Sequence, residues 1–228
     1  MNKNSIKWAA SFICITFIFT FPASHHALTE FTAQHPYVMG FVKFSTLAFL
    51  GELMGIRISN GEWIKPKGPI LRILAWGLMG MAIAFVLPLA YQGGVLVKEQ
   101  GLISFVGDGF LNKLLQAFAA SIIFNLLPGP MVILYHRLAE SFIELSEGNI
   151  SDLKKVRFSQ VIEKVDWVHL IQFIILRVNL ILFIPINTVI FYLPPNHRVL
   201  VAAYSSILLG IVLGYHKRKK KSEKIYIF

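Results

Sequence analysis

Hydrophobic residues in this chain fall into blocks that are separated by shorter polar segments. The blocks cover residues 6–21, 38–56, 70–91, 114–135, 168–193 and 199–215. Each is about long enough to cross ~30 Å of hydrocarbon at ~1.5 Å per residue, and none alternates with the period of a barrel strand. A helix satisfies its own backbone polar groups in lipid. The pattern therefore predicts an all-α fold, a polytopic transmembrane helical bundle of about six spans.

The first block has two interpretations. Its basic start at Lys3 and Lys7, its apolar run and the Phe21-Pro22 that follows are typical of a secretory signal peptide. No small-x-small cleavage triplet follows cleanly, so we favour an uncleaved signal anchor. Residues 1–37 then form an N-terminal helix and an outer loop. The loop's histidines, His25, His26 and His35, are interpreted as polar surface residues rather than metal ligands.

The distribution of Lys and Arg predicts an orientation. If the N-terminus lies inside, 17 of the 22 basic residues lie on the inner side and only Lys98, Lys113 and Arg198 lie outside. Positive loops favour the cytoplasm. Both termini are therefore expected to be cytoplasmic. Residues 38–216 form the membrane bundle, 137–167 an amphipathic cytoplasmic segment with a helix starting near Asp152, and 217–228 a basic tail.

Composition supports a membrane protein and excludes several classes. Of 228 residues, 55% are hydrophobic and only 15% charged, with a mean hydropathy of +0.62. The net charge of +10 is concentrated in the tail and between apolar blocks rather than on a folded polar face, so nucleic acid is not an expected partner. The expected partners are the bilayer, anionic lipid at the tail, and a second copy in a homo-oligomer.

The chemistry-bearing residues do not predict an enzyme. The single cysteine, Cys14, rules out an intramolecular disulfide and a thiolate metal cluster. There is no HExxH, GxSxG or phosphate-binding glycine loop. We therefore expect no catalytic residues, no metal and no cofactor.

Polar side chains within the spans are candidates for function, because they are costly in lipid. They are Glu52, Asn125, Arg177, Asn179 and Asn187. Two readings stay open: Glu52 and Arg177 form a structural ion pair, or they line a polar pathway, with Asn179 and Asn187 continuing a stripe along one helix. Lys43 is expected to extend to the head groups as an anchor.

Small residues predict where the helices touch. Gly51-x-x-x-Gly55 and Gly210-x-x-x-Gly214 each place two glycines on one helix face, which allows close backbone approach. Gly77 and Gly80 are expected to act similarly. Proline residues such as Pro88 and Pro185 are expected to kink their spans.

Several motifs in this order resemble the Mpv-seventeen family, also called the peroxisomal membrane protein 22 kDa family. Carried over by position, the matching residues are Pro36, which precedes the second span, Gly51 with Glu52, Arg72 before the Ala75-Trp76-Gly77 run, Pro88, and Arg198 after Pro194-Pro195. The family favours Asp where this chain has Glu52. The resemblance implies small integral membrane proteins of channel-like function.

Together these observations favour a channel-like protein or carrier for a small solute, and two arginines tilt the expectation toward an anion. The alternative is a non-transporting membrane scaffold or assembly factor, which the amphipathic segment and basic tail would suit. No Arg-rich transit segment is present. A bacterial plasma membrane is therefore the favoured location, with an organelle inner membrane as the alternative.

Overall fold

The computed structural model describes residues 3–103 and 109–225, and side chains are described except at residues 23, 25 and 220–225. Over those ranges the chain is helical and has no strand, which confirms the all-α prediction. The helices are α1 Lys3–Thr20, α2 Pro22–Gln34, α3 Pro36–Asn60, α4 Pro69–Glu99, α5 Phe110–Leu126, α6 Pro128–Leu145, α7 Ile150–Leu153, α8 Phe158–Lys164, α9 His169–Tyr192 and α10 Pro195–Ile225. Within α9, His169–Leu182 has π-helical winding and Phe183–Tyr192 is a regular α-helix.

Four described helices are long and apolar enough to cross a membrane: α3, α4, α9 and α10. Helices α5 and α6 pass the same test only as a pair, which is bent by 41° at Leu127. The break coincides with Pro128, which cannot donate a backbone hydrogen bond into the preceding turn. The described part of the chain therefore contains four candidate spans, or five if the bent pair is one span.

Helix α1 is not among the candidate spans, so the predicted count of six is not confirmed. Its apolar run of residues 6–21 reaches only about 24 Å at ~1.5 Å per residue, and Lys3 and Lys7 lower its hydropathy. The segment after it, expected as a loop, is helix α2. Lys43 on α3 is 2% exposed, and its Nζ donates to Thr32 Oγ1 of α2 at 3.0 Å. The expectation that Lys43 extends to the head groups is therefore wrong.

Helix α3 lies between α4 and α10 and contacts both at backbone distance. On one face, a Cβ at Gly210 would lie 2.1 Å from the carbonyl oxygen of Gly51, and one at Gly214 would lie 2.6 Å from that of Gly55. The predicted close approach of these two glycine pairs is confirmed. In lipid, small residues stabilise helix pairs because they let backbones pack directly.

The other face of α3 contacts α4 in the same way. A Cβ at Gly80 would lie 2.2 Å from the Gly40 carbonyl oxygen, and one at Gly77 would meet the Phe41 ring at 2.3 Å. Beside these contacts lies the apolar core, whose members come from α1, α3, α4, α5, α9 and α10 and include Phe19, Leu47, Leu87, Ala120, Phe191 and Ala203. Helix α3 is thus the central element of the bundle.

Two connections that carry basic residues meet at one end of the bundle: the segment 61–68 between α3 and α4, and the segment that follows α6. We name this end the basic end. Trp63, after α3, donates from Nε1 to Ser5 Oγ of α1 at 2.8 Å. Lys67, before α4, forms an ion pair with Glu147, which follows α6. These contacts join the segments that the charge pattern assigns to one side.

The segment 137–167 differs from its prediction. Helix α6 continues to Leu145, and the two short helices α7 and α8 replace the single helix expected from Asp152. Val161 and Val165 are buried, at 0% and 4% exposure, so the apolar side of this segment does pack. Helix α10 continues through the predicted basic tail as far as Ile225.

We expect Gly210→Ala to weaken the bundle, because its new methyl group would overlap the Gly51 carbonyl. Overpacking of this kind lowers the free energy of unfolding by about 1–3 kcal/mol. Denaturant unfolding in detergent micelles, followed by circular dichroism, measures the change. The matched control is Gly109→Ala, whose Cβ would meet nothing within 4 Å. Equal curves for the two variants would contradict the assigned packing.

Candidate functional site

A cluster of charged and aromatic side chains lies inside the basic end, where α3, α4 and α6 meet. Glu52 is its centre: Arg72 Nη1 donates to Glu52 Oε1, and Trp76 Nε1 donates to Glu52 Oε2 at 2.7 Å. The Arg72 and Glu52 side chains are 7% and 12% exposed. Both carboxylate oxygens of Glu52 therefore have donors from α4.

The short connection between α3 and α4 explains this pairing. Gly61 ends α3 with a left-handed φ of +79°, and Gly68 precedes α4 with φ +57°. Glycine adopts this backbone region without a Cβ penalty. The chain turns back within a few residues, so the last turns of α3 face the first turns of α4. The Lys67 carbonyl in this connection also accepts a bond of 2.9 Å from Arg72 Nε.

Helix α6 contributes the third side of the cluster. The His136 ring packs against Trp76 with centroids 4.0 Å apart and the ring planes tilted by 41°, and Glu140 lies one helical turn further on. Glu140 Oε2 accepts from Arg137 Nη1 at 2.6 Å, whereas its Oε1 is 3.7 Å from Arg72 Nη1. Glu144, a turn beyond, is also 3.7 Å from Arg72. Arg72 therefore contacts Glu52 closely and the α6 carboxylates loosely.

A small cavity lies among these side chains. Its volume is about 10 Å³, close to the smallest space that holds a water molecule. Its lining combines both charge signs with an aromatic wall and consists of Glu52, Arg72, Ala75, Trp76, His136, Glu140 and Ile143. The cavity has room for one water molecule at most, and its walls offer hydrogen-bond acceptors on the carboxylates and donors on Arg72 and Trp76.

The three asparagines form a second polar group, between α5 and α9. Asn125 is fully buried; Asn187 Nδ2 donates to its Oδ1 at 3.1 Å, and Asn179 Nδ2 donates to its backbone oxygen at 2.7 Å. Asn125 Nδ2 donates in turn to Ser121 at 2.8 Å, and Ser121 Oγ donates to the Ile184 carbonyl. Each of the three amides thus donates to a neighbour, and the bonds from Asn179 and Asn187 to Asn125 join the two helices.

Arg177 does not belong to either group. Its side chain is exposed on α9, whereas Asn179 is 5% exposed. Arg177 and Asn179 therefore lie on different faces of this π-helical segment. The expected Glu52–Arg177 ion pair is wrong, because Glu52 is paired with Arg72. The expected tilt toward anions loses its basis, since the buried arginine is neutralised by carboxylates.

The residues singled out by the family resemblance have separate structural positions. Pro36 is the first residue of α3, Gly51 contacts α10, and Pro88 lies within a continuous α4. Arg198 is 6% exposed; its Nε donates to the Leu193 carbonyl at 2.9 Å, and its guanidinium lies 3.7 Å from the Tyr91 ring centroid. Only Arg72 joins Glu52 in the cluster.

Sequence reasoning missed His136, Glu140 and the pairing of Glu52 with Arg72. A signal for the pair was present, because a connection of about eight residues makes α3 and α4 antiparallel neighbours. His136 and Glu140 are four residues apart and so share one helix face. That spacing identifies a polar face but not the helix it meets.

We expect Arg72→Met to lower the free energy of unfolding by about 3–5 kcal/mol, because it leaves Glu52 buried without its cation. The double variant Glu52→Leu/Arg72→Met should recover most of this loss, since no unpaired charge remains. Denaturant unfolding in micelles by circular dichroism measures both. Asp152→Asn, which breaks an exposed pair with Lys155, is the control and should leave the curve unchanged. A double variant no more stable than Arg72→Met would contradict the pairing.

We expect Asn125→Ala to cost about 1–3 kcal/mol of unfolding free energy, because the Asn187 amide loses its buried acceptor. The same unfolding measurement applies. Asn149→Ala removes an amide of the same kind from an exposed position and should have little effect. Equal small losses at both positions would show that the amide network contributes no stability.

The comparisons with known proteins leave the family open. No family model, no curated protein and no solved structure matches the chain. The resemblance to the Mpv-seventeen family therefore stays a prediction.

Proposed function

We propose that the protein is a multi-pass membrane carrier or channel for a small polar solute, and that the cluster around Glu52, Arg72 and Glu140 is its polar site. The observation that supports this proposal is a group of buried charges of both signs around a cavity, within a bundle whose helices suit a membrane. Charged side chains inside such bundles mark solute and ion pathways more often than they add stability.

Stability alone is a weak reason for these charges. A buried ion pair is often no better than well-packed apolar side chains of the same volume, because desolvation offsets the attraction. Here the Arg72 and Glu52 side chains, only 7% and 12% exposed, occupy space that apolar side chains would fill. Their presence is explained more directly by a polar solute or a proton that passes through the site.

The unequal contacts of Arg72 suggest where the site opens. Arg72 is held by Glu52 and by the Lys67 carbonyl, whereas its distances to Glu140 and Glu144 are both 3.7 Å. A shift of α6 would separate those two carboxylates from Arg72 and leave the α3–α4 pair in place. We propose that the solute enters between α4 and α6 and competes for Arg72 and Glu140.

The charges in the site favour a small solute that carries both signs or none. Arg72 and Arg137 stand against Glu52 and Glu140, with the His136 ring beside them. A bare anion would meet carboxylates, and a bare cation would meet guanidinium groups. A small zwitterion can contact one group of each sign.

We propose that the basic end faces the cytoplasm of a bacterial plasma membrane, with both termini on that side. The support is the excess of Lys and Arg in the connections at that end. An organelle inner membrane with the same orientation is the alternative.

A non-transporting scaffold is the second candidate. It is favoured by the end of α10, where the side chains of Lys217, Arg218 and Lys219 are all exposed. A cationic helix end can bind anionic lipid or an acidic partner. Under this alternative the buried cluster only fixes the angle between α3 and α4.

Flux into proteoliposomes separates the two candidates. Stopped-flow light scattering would follow swelling in glycine, urea, glycerol or potassium acetate, with empty liposomes as the baseline. We expect faster swelling in glycine with the wild-type protein and about a tenfold reduction with Glu140→Gln, which weakens one charged hydrogen bond. Arg177→Leu is the control, because that side chain lies outside the cluster, and its rate should stay within about twofold of wild type.

Two results would count against transport. Wild-type vesicles that swell no faster than empty ones in all four solutes would leave the scaffold as the better account. Equal swelling by wild type and Glu140→Gln would remove the cluster from the pathway.

A further inference from the structure

A groove of about 400 Å³ lies at the basic end, between the last turn of α3, the first turns of α9 and residues 211–219 of α10. Ile58, Phe173, Ile211 and Val212 form its apolar walls, and Tyr215, His216 and Lys219 complete its lining. Along α10 the apolar positions come first and the polar ones follow about one turn later. The groove is therefore apolar at one end and basic at the other.

The polar end of the groove is built by stacked rings. The His216 ring lies 3.6 Å from the Phe173 ring centroid to centroid, at 16°, and 5.3 Å from the His169 ring. These rings fix the wall between α9 and α10. Asp166 Oδ1 accepts a bond of 2.9 Å from the His169 backbone nitrogen at the start of α9. Lys217, Arg218 and Lys219 add positive charge beside the rings.

The position of the groove along the helices matches the edge of a bilayer. The apolar run of α10 ends at Tyr215, before the basic residues Lys217, Arg218 and Lys219, and α9 begins at His169, so the basic end of the groove lies near the ends of both apolar runs. In the most apolar stretch of each of these two helices, only 22% of the residues are buried inside the protein. The other apolar side chains there are at least partly exposed and can contact a lipid chain.

We propose that this groove binds one anionic phospholipid. The phosphate contacts Lys219 and His216, and an acyl chain follows Ile58, Ile211 and Val212 toward the membrane interior. Charge complementarity selects an anionic head group over a zwitterionic one, because basic pockets beside membrane helices attract negative head groups. The apolar walls select a lipid over a free phosphate. The proposal is independent of whether the protein transports a solute.

The test compares two lipids and two lysines in the full-length protein. Detergent-solubilised protein is titrated with phosphatidylglycerol or phosphatidylcholine of the same acyl chains, and native mass spectrometry counts the lipid that stays bound. We expect a single retained phosphatidylglycerol and at least about fivefold weaker retention of phosphatidylcholine. Lys219→Gln should weaken the binding of phosphatidylglycerol about fivefold, because the protein loses one positive charge beside the lipid head group.

Lys217→Gln is the matched control. It removes the same charge two residues away, which is about 200° around the helix, and should change binding less than twofold. Val212→Trp fills the apolar end and should reduce binding of both lipids; gel filtration and circular dichroism check that each variant is folded. Equal losses for the two lysine variants would show a diffuse attraction to the tail and overturn the site. Equal retention of the two lipids, or full binding by a folded Val212→Trp, would overturn it as well.

Discussion

Direct backbone contact between α3 and its two neighbours is the constraint on which the rest of the structure depends. Glycines on α3 face glycines on α10 on one side and on α4 on the other, so no side chain separates the helices. In lipid this packing replaces the hydrophobic drive that operates in water. It also fixes the rotation of α3. With Gly51 against α10, Glu52 lies about 100° further around the helix and meets Arg72 and Trp76 on α4.

The two polar groups inside the bundle differ in how completely their members are satisfied. The Asn125 network joins α5 and α9 by hydrogen bonds from the side-chain amides, 2.7 to 3.1 Å long, and each amide has a partner. The cluster at the basic end has short bonds between α3 and α4 but distances of 3.7 Å from Arg72 to the α6 carboxylates. The first group suits a permanent contact. The second suits a contact that forms and separates.

Much of the fold could be predicted from the sequence, because long apolar runs and glycine spacing are local signals. The runs that became α3, α4, α9 and α10 were visible, and so was the close approach of Gly51 and Gly210. The partner of Glu52 could not be predicted, because Arg72 and Arg177 carry the same charge. Only knowledge of which helices are neighbours distinguishes the two candidates. The rotation of α9, which exposes Arg177 and buries Asn179, depends on packing that no local pattern records.

The break at Leu127 separates α5 from α6, and each of these two helices is held by a different neighbour. Helix α5 is tied to α9 by the asparagines, whereas the end of α6 is tied to the start of α4 through the Lys67–Glu147 pair and the contact between Gly68 and Gly148. Gly129, just after the break, has room for no side chain: a Cβ there would lie 2.9 Å from the Phe124 carbonyl oxygen. A tilt of α6 would therefore pivot on a point fixed in the core, and it would have to break its contacts with Lys67 and Gly68 before its carboxylates could move away from Arg72.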